Sequence, residues 1–323
     1  MAIINVDDAY ILNETGAQVD KTTGIPFKNE SLTEAEAAQA RANIRAGGSN
    51  PNLLDNWYFV GGGSQLGDGV FPINQRGQTV YTSDGPGIDR WKQFAATVTL
   101  ASDGVTVTPS AYSNNFLQLM NPAKWNALVG ETVTLSFEVL SVTGTISVAG
   151  YNTGIGTITS PGIAAFTFTM PSGIADRNKF FGLARQSGSS IKFGRWKLEK
   201  GTVSTLLNDP PPDFGEELRK CQRYLWVEVF NTNAIIANGA SVSASDVMLL
   251  LPTPASMRAV PPTVTFTVTP AFIGSGSLIA ATYAGAGIYD NNVNLYFTGS
   301  VTAFSNYSLL ATSQTTMTIS CEL

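Results

Sequence analysis

Runs in which apolar and polar residues alternate recur along this chain and constrain its fold more than any other feature. The clearest are TVTLSFEV at residues 132–139 and FTFTM at residues 166–170. A period of two places every second side chain on one face, as in a half-buried antiparallel strand. Glycine, serine and asparagine separate these runs at short spacing, which predicts tight turns between short strands. The chain is therefore predicted to be mainly β, with antiparallel, jelly-roll-like β-sandwiches.

Three consecutive prolines in NDPPPDFG divide the β-rich part of the chain into two predicted domains. A proline run has a fixed φ and no amide donors, so it forms a stiff boundary rather than a strand. Residues 51–213 are predicted to form one sandwich and residues 214–323 a second. The second begins with GEELRKCQRYLW, whose acidic start and basic middle favour a short helix. Leu218, Cys221 and Leu225 are predicted to share one face of that helix.

Residues 1–50 form a third region, predicted to be an attachment and trimerisation segment. It contains SLTEAEAAQARANIRAGG, in which Ser31 and Glu34 have the spacing of a capping box. A helix is therefore predicted over residues 31–46, and the two glycines that follow should end it. Its apolar face is thin, so it needs a partner to persist in water. Two arrangements remain open, a neck helix packed on copies of itself and a lone linker helix.

Composition excludes several classes of function. The chain has no histidine, which removes histidine-activated nucleophiles and the commonest transition-metal ligand. The formal net charge is −5 and only 13% of residues are charged. A nucleic-acid-binding protein would need a basic surface to displace counterions from phosphate, so no nucleic-acid partner is expected.

The two cysteines and the hydropathy pattern bear on the compartment. Cys221 and Cys321 lack metal-site spacing. A disulfide between them is possible, but two free buried thiols are favoured for a protein made in a reducing cytosol. The N-terminus carries acidic residues where a signal peptide needs basic ones. No run approaches the ~18 apolar residues of a membrane span, so no membrane insertion is expected. Export would then follow another route, such as lysis or assembly into a particle.

Several motifs occur in an order that resembles one family of proteins. They are NLLDNWYF at residues 52–59, FPINQRG at 71–77, GIDRWK at 87–92, RWKLEKGTVSTLL at 195–207, EELRKCQRYL at 216–225 and LPTPASMRAVPPTV at 251–264. This order is similar to that in bacteriophage and prophage tail-fibre proteins and related virion surface proteins. The segment that contains the predicted helix resembles the short helical connectors of such fibres. The resemblance spans residues 31–270, roughly three quarters of the chain.

The resemblance implies a fold, a location and partners. The first sandwich would be similar to a carbohydrate-binding module, and the chain would be a homotrimer. It would be assembled in the host bacterial cytoplasm and become part of an appendage of the virion or of a phage-tail-like particle. Residues 1–50 would bind other virion or tail proteins. Host cell-surface polysaccharide is the expected external partner, although the family does not specify which ligand is bound.

Aromatic side chains in loop-like text are the candidate ligand contacts. A sugar presents CH patches and hydroxyls together, so its sites combine aromatic faces with hydrogen-bonding groups. Trp91 and Trp196 lie in strand-like sequence and are predicted to be core or half-core residues. The weaker binding candidates are Tyr112, Trp125, Tyr151 and Tyr81. Among these, Tyr112 and Trp125 are the ones expected to be exposed.

A second set of residues, Asn74, Arg76, Asp89 and Arg90, is predicted to pin the loop between residues 71 and 92 against the sandwich. A guanidinium fork on a buried carboxylate can fix a long loop in this way. The alternative is that these groups hold a sugar hydroxyl or a divalent ion. Oxygen ligands for calcium are present at residues 67–69, 83–85, 102–104 and 289–292, but this alternative is weak, because no D-x-D-x-D loop is present. No metal and no cofactor are therefore expected.

These observations favour a fibre or receptor-binding protein that acts through multivalent, non-enzymatic contacts. No catalytic residue is expected, because no pair of carboxylates has a readable glycosidase spacing. A decoration fibre of the head, neck or collar, with no receptor, is the alternative. A glycan depolymerase is less favoured, since the long repeats of such enzymes leave no trace in this sequence.

Overall fold

Antiparallel strands dominate the structure, as the alternating runs predicted. The computed structural model describes residues 50–62, 70–111, 113–185, 188–258, 262–274, 277–289, 292–303 and 305–322. The predicted helix at residues 31–46 lies outside the described residues.

Two six-stranded sheets form the first sandwich. Its strands are β1 (Val80–Tyr81), β2 (Gly85–Pro86), β3 (Trp91–Gln93), β4 (Ala96–Ala101), β5 (Gly104–Pro109), β6 (Ser113–Leu119), β7 (Thr132–Thr143), β8 (Ile146–Gly150), β9 (Thr153–Ile158), β10 (Gly162–Thr169), β11 (Phe180–Arg185) and β12 (Ser190–Lys200). One sheet has the order β1-β4-β5-β12-β7-β10 and the other β2-β3-β6-β11-β8-β9. Most consecutive strands lie in different sheets, as in a jelly roll, whereas β2-β3, β4-β5 and β8-β9 pair within one sheet.

Aromatic side chains from both sheets meet in one core. Trp91 of β3 stacks on Phe116 of β6 with ring centroids 4.8 Å apart, and it contacts Trp196 of β12 edge-on at the same distance. All three are buried. The prediction that Trp91 and Trp196 are core residues is therefore confirmed. In β12 the period of two explains the arrangement, because Arg195 and Lys197 flank Trp196 on the opposite face of the strand.

A three-stranded and a seven-stranded sheet form the second sandwich. Its strands are β13 (Leu225–Phe230), β14 (Ile235–Ser241), β15 (Asp246–Pro252), β16 (Thr263–Phe266), β17 (Ala271–Gly274), β18 (Ser277–Ala280), β19 (Thr282–Tyr289), β20 (Asn292–Thr298), β21 (Asn306–Leu310) and β22 (Thr315–Ser320). The sheet orders are β13-β22-β16 and β18-β17-β21-β14-β15-β20-β19. Residues from both sheets share a separate hydrophobic core, which includes Trp226, Leu249, Phe297 and Met317.

Two α-helices are described, α1 (Pro122–Asn126) and α2 (Phe214–Gln222). The side chain of Asp213 caps α2 by accepting a hydrogen bond from the Glu216 amide at 2.8 Å. The predicted helix at the start of the second domain is thus present. Its predicted face is wrong at one position, since Leu225 is the first residue of β13 rather than part of the helix. Neither helix is long and apolar enough to cross a membrane.

A segment after β12 covers the outer face of the first sheet. Lys197 and Glu199 point to this face, yet both are fully buried. The Lys197 ammonium lies 2.7 Å from Asp209 Oδ1 and 3.6 Å from Glu199 Oε2. It also donates to the Thr205 hydroxyl at 2.8 Å. The buried charges therefore hold the segment at residues 201–209 on the sheet.

The two cysteines are both free and buried. This confirms the favoured alternative of the sequence reasoning over a disulfide. Residues 51–323 belong to one compact unit, in which the two sandwiches contact each other through the residues described next. The predicted domain boundary at residues 213 and 214 coincides with the start of α2.

Candidate functional site

Asn56 joins three of the sequence motifs that lie far apart in the chain. Its side-chain Nδ2 donates to the carbonyl oxygens of Ile73 and Asp89, both at 2.8 Å. Its Oδ1 accepts from the Ile73 amide at 2.8 Å. Asn56 has a φ of 51°, a region that asparagine tolerates better than most residues. The motifs NLLDNWYF, FPINQRG and GIDRWK are therefore parts of one buried structure.

The helix α2 joins the same structure from the second sandwich. The Asn56 amide donates to the Glu217 carboxylate, and Glu217 is buried. Cys221, one turn further along α2, packs against Phe71 and Ile73. The EELRKCQRYL motif thus contacts the first three motifs. We call this set of contacts the junction.

Gln75 connects the junction to strand β13. Its Nε2 donates to the Leu225 carbonyl at 2.6 Å, and its Oε1 accepts from the Val227 amide at 3.2 Å. One side-chain amide thereby pairs with the backbone of β13 much as a neighbouring strand would. Asp89 fixes the orientation of this amide, because its Oδ2 accepts from Gln75 Nε2 at 2.6 Å.

Both arginines of the predicted pin also bridge the two sandwiches. The Arg76 guanidinium donates to the Gly87 carbonyl at 3.0 Å and pairs with the Glu322 carboxylate. The guanidinium carbon of Arg90 lies 3.5 Å from the centre of the Tyr224 ring, a cation–π contact. Arg90 Nε also lies 3.1 Å from Asp55 Oδ2. The carboxylate partners of the two arginines are thus Glu322 and Asp55.

The remaining pin residues act differently from the expected arginine–aspartate fork. Asp89 accepts from the amide and side chain of Gln75 rather than from a guanidinium. Asn74 donates to the Gln78 carbonyl at 2.7 Å and accepts from the Tyr81 hydroxyl. The Asp89 carboxylate therefore binds Gln75 instead of an arginine. Arg76 and Arg90 pair with carboxylates outside the loop.

Burial and charge act in opposite directions on the two junction aspartates. Burial raises the pKa of Asp89 to about 7, although the Gln75 hydrogen bonds and Arg76 oppose it. Burial also tends to raise the pKa of Asp55. There, the charges of Arg90 and Lys124 outweigh burial, so the pKa of Asp55 lies below its usual value. The junction thus contains one aspartate that titrates near neutral pH.

Sequence reasoning missed three members of the junction, Glu217, Tyr224 and Glu322. Each lies more than a hundred residues from the partner it contacts in the first sandwich. A buried acidic residue in the first turn of a helix looks in sequence like an ordinary dipole-stabilising residue. No signal in the sequence alone distinguishes Glu217 from its exposed neighbour.

Two of the four ligand candidates lie in the core. Trp125 is fully buried, with its ring stacked on Phe181 at 5.3 Å. The expectation that it is exposed is therefore wrong, because α1 turns its ring inward over the end of the sandwich. Tyr81 is also buried, and its hydroxyl donates a hydrogen bond to Asn74 Oδ1. Tyr112 lies outside the described residues.

Tyr151 is the candidate that remains at the surface. It is half-buried and occupies the two-residue turn between β8 and β9 with Asn152. Their φ angles are 44° and 59°, as a type I′ hairpin turn requires. Such angles are unusual for tyrosine, and strained residues of this kind often mark functional positions. The turn therefore fixes an aromatic ring at one end of the sandwich.

Polar groups lie at the same end of the sandwich. The Tyr151 ring contacts the Trp125 ring, and the Tyr151 amide donates to the Phe180 carbonyl at 3.1 Å. Lys179 directly precedes Phe180 in the chain, and its ammonium lies 2.8 Å from both Asn126 Oδ1 and Asp176 Oδ1. We call Tyr151, Asn126, Asp176 and Lys179 the Tyr151 surface. The Asn126 amide and the Asp176 carboxylate are exposed, and the buried Lys179 ammonium holds them in place. An aromatic ring beside an amide and a carboxylate offers the groups that sugars require.

The described part of the chain holds no group of three or more histidine, cysteine, aspartate or glutamate side chains that could bind a metal ion. Two aspartates of the calcium alternative already have other partners. Asp84 accepts from the Ala95 amide at 2.7 Å, and Asp103 pairs with Lys192 at 2.5 Å. Residues 67–69 of that alternative lie outside the described residues.

No protein-family model matches the chain, and no curated protein matches it.

Proposed function

We propose that this protein is a fibre or receptor-binding component of a phage or phage-tail-like particle, and that it contacts host-surface glycans without catalysis. The observation that carries the proposal is the ordered motif set that resembles tail-fibre proteins. Residues of four of these motifs, including Asn56, Gln75, Asp89 and Cys221, meet at one junction. Motifs that meet in one buried structure are a coherent set, and this supports the proposal.

The Tyr151 surface is the proposed glycan contact on the first sandwich. Its ring is held by the hairpin turn, and its polar groups are held by Lys179. A single aromatic–sugar contact is weak, of the order of 1 kcal/mol. Repetition of the contact on several copies of the chain would raise the overall affinity through effective concentration. Such multivalent binding needs no deep pocket.

Retention of the full-length protein on host cells or on purified surface polysaccharide tests the proposal. Tyr151→Asn removes the ring but keeps a residue that tolerates a positive φ. We expect retention to fall by about tenfold or more, because the lost contact is repeated in every copy. Val80→Asn, which changes an exposed apolar residue on β1, is the matched control and should bind normally.

The position of the protein on its particle tests the rest of the proposal. Gold-labelled antibodies against the chain should mark the tip of an appendage in electron micrographs. Particles that lack the protein should adsorb poorly to host cells. Labelling of the head or neck together with normal adsorption would contradict a receptor role, and release of reducing sugar from the polysaccharide would contradict a non-enzymatic one.

A further inference from the structure

The segment at residues 201–209 brings a carboxyl group to a buried amine and a second carboxyl group. Lys197 and Glu199 lie two residues apart on β12, so both side chains point to the same face of the sheet. Asp209 reaches them from the covering segment. The exposed fraction is 0% for the Lys197 and Glu199 side chains and 7% for that of Asp209. Lysine, glutamate and aspartate are rarely buried to this degree.

The Lys197 nitrogen is in contact with the Asp209 carboxyl group. Nζ lies 2.7 Å from Oδ1, and the carboxyl carbon is one bond further. Transfer of one proton from the ammonium to the carboxylate would give a nucleophilic amine beside a carboxylic acid. Burial favours this transfer, because it penalises the charged form of each group. In agreement, burial raises the pKa of Asp209, although the contact with Lys197 opposes it.

Glu199 is placed to take a proton from this amine. Its Oε2 lies 3.6 Å from Lys197 Nζ. The Thr205 hydroxyl connects the two groups, since it accepts from Nζ at 2.8 Å and donates to Oε2 at 2.5 Å. The Thr205 amide donates to Glu199 Oε1 at 2.7 Å and so fixes the carboxylate. An ion pair needs one carboxylate, whereas amide formation uses a nucleophile, an electrophile and a group that transfers protons.

We propose that the side chains of Lys197 and Asp209 form an intramolecular amide bond, with Glu199 as the group that transfers the proton. Nζ attacks Cγ of the protonated Asp209 carboxyl group, so that a C–N bond forms and a C–O bond breaks. Glu199 takes a proton from the nitrogen and gives it to the leaving hydroxyl, which departs as water. One ammonium and one carboxylate thus become one amide and one water molecule, and no oxidant is needed. The ion pair described above is the reactant state, and a chain that has not reacted keeps it.

The fold supplies the two conditions that amide formation between free molecules in water lacks. Groups held in contact can react as if each were present at about 10⁵ M or more. A closed site also excludes the water that would favour hydrolysis. The segment is held in place from β7, because the Ser204 hydroxyl donates to Ser136 Oγ and the Thr134 hydroxyl donates to the Gly201 carbonyl, both at 2.8 Å.

The amide would join a central strand to the end of the first sandwich. β12 lies between β5 and β7 in its sheet. Asp209 directly precedes the three prolines that lead to α2 and the second sandwich. A force on the chain at this boundary would therefore pass through the amide to β12, and residues 198–208 would not carry it. This role is additional to the proposed glycan contact.

The intact mass of the full natural chain, measured after unfolding in urea, tests the inference. We expect a mass lower than that of the unmodified chain by one water molecule, because an amide bond survives urea. In a tryptic digest, residues 196–200 should be joined to residues 201–219, since trypsin does not cleave after an acylated lysine. Lys192 is the internal control, because its partner Asp103 is exposed, and cleavage after it should be normal. An unmodified mass with normal cleavage after Lys197 would overturn the inference.

Three variants separate the roles of the three side chains. Lys197→Arg keeps the charge but has no reactive amine, so it should lose no water. Asp209→Asn can form the same amide, but its mass should fall by one ammonia molecule instead. Glu199→Gln keeps the shape of the side chain, and in a time course of cell-free synthesis its amide should form about a hundredfold more slowly or less rapidly still.

Two results with these variants would contradict the inference. Loss of water from Lys197→Arg would place the dehydration elsewhere and overturn the amide. An unchanged rate in Glu199→Gln would overturn the role of Glu199. None of these measurements uses glycan, so a failure of glycan binding would contradict the proposed function and leave this inference standing.

Discussion

Asp89 and Gln75 are joined by two hydrogen bonds, one from the Gln75 amide to Oδ1 at 3.0 Å and one from Gln75 Nε2 to Oδ2 at 2.6 Å. The same Gln75 side chain bonds Leu225 and Val227 of the second sandwich. A fully buried carboxylate thus holds the amide that connects the two sandwiches. The protonation state of Asp89 and the side chain of Gln75 should therefore both affect the free energy of unfolding of the whole unit.

The stability of the protein should fall as the pH rises from about 4 to about 7. Burial raises the pKa of Asp89 to about 7, whereas an aspartate in an unfolded chain titrates near about 4. Between these values the folded state holds more protons than the unfolded state. The free energy of unfolding then decreases with pH and levels off above about pH 7, by at most about 4 kcal/mol.

Urea unfolding at pH 5 and pH 8 measures this effect, and Asp89→Asn is its control. The substituted side chain cannot titrate, so the part of the pH dependence that comes from position 89 should disappear. Any part that comes from Asp209, whose pKa burial also raises, should remain in both proteins. Asp55 does not interfere, because its pKa lies below the usual range and it stays charged throughout. Equal stability of the natural protein at the two pH values would contradict the assignment.

Gln75→Ala should destabilise the protein by about 2–4 kcal/mol. The variant removes the hydrogen bond from Gln75 Nε2 to Asp89 Oδ2 and leaves the Leu225 carbonyl and the Val227 amide without their side-chain partner. Each buried unsatisfied group costs about 1–3 kcal/mol. Protease cleavage between the two sandwiches, near residues 209–213, should also become faster. Gln78→Ala, at an exposed position of the same loop, should leave both stability and cleavage unchanged.

Trp125→Ala should lower the free energy of unfolding by about 3–5 kcal/mol. The ring is fully buried against Phe181 and Tyr151, so its removal leaves a cavity. Tyr151→Asn, which removes a half-buried ring, should cost much less. Thermal unfolding of the two variants distinguishes them, and a nearly natural melting temperature for Trp125→Ala would contradict its place in the core.

Lys197→Met should destabilise the protein by about 3–5 kcal/mol. The ammonium is buried between Asp209 and Glu199, and its loss leaves two carboxylates buried without it. The loss should persist in 1 M salt, because buried charges are screened weakly. Lys192→Met removes the partner of the exposed Asp103, and because water and salt screen that pair, this variant should be nearly as stable as the natural protein.

Neither thiol should react with Ellman's reagent in the folded protein. Burial raises the pKa of Cys221 well above its usual value and that of Cys321 to about 11. The thiolate is the reactive form, so both cysteines should be inert at pH 8 and both should react after unfolding in urea. Fast reaction of one thiol in the native state would show that its side of the structure is open.

Local sequence signals were sufficient for the strands and the helix α2. The alternation in TVTLSFEV predicts the burial of Leu135 and Phe137, and both are buried in β7. The acidic first turn of α2 and its Asp213 cap are also local signals, since they lie within a few residues of each other. Such signals succeed because strand alternation and helix capping depend on residues at most a few positions apart.

The candidate site could not be predicted in the same way. Trp125 lies in a segment whose sequence resembles a loop, but α1 places its ring in the core. The position of the ring depends on its contact with Phe181, which is distant in the sequence. Tyr151 is distinguished from the other candidates only by its turn and its exposure. Exposure is a property of the assembled sandwich rather than of a short segment.

By itself, the sequence determined that the chain is mainly β, where several strands alternate, and that Trp91 and Trp196 are core residues. Only the tertiary structure decided that Asn56 meets Asp89, 33 residues away, and Glu217, 161 residues away. It also decided that the guanidinium of Arg90 pairs with Asp55 rather than with its neighbour Asp89. The physical reason is that alternation fixes which face a side chain occupies, whereas the partner on that face follows from strand order and from the packing of two sandwiches.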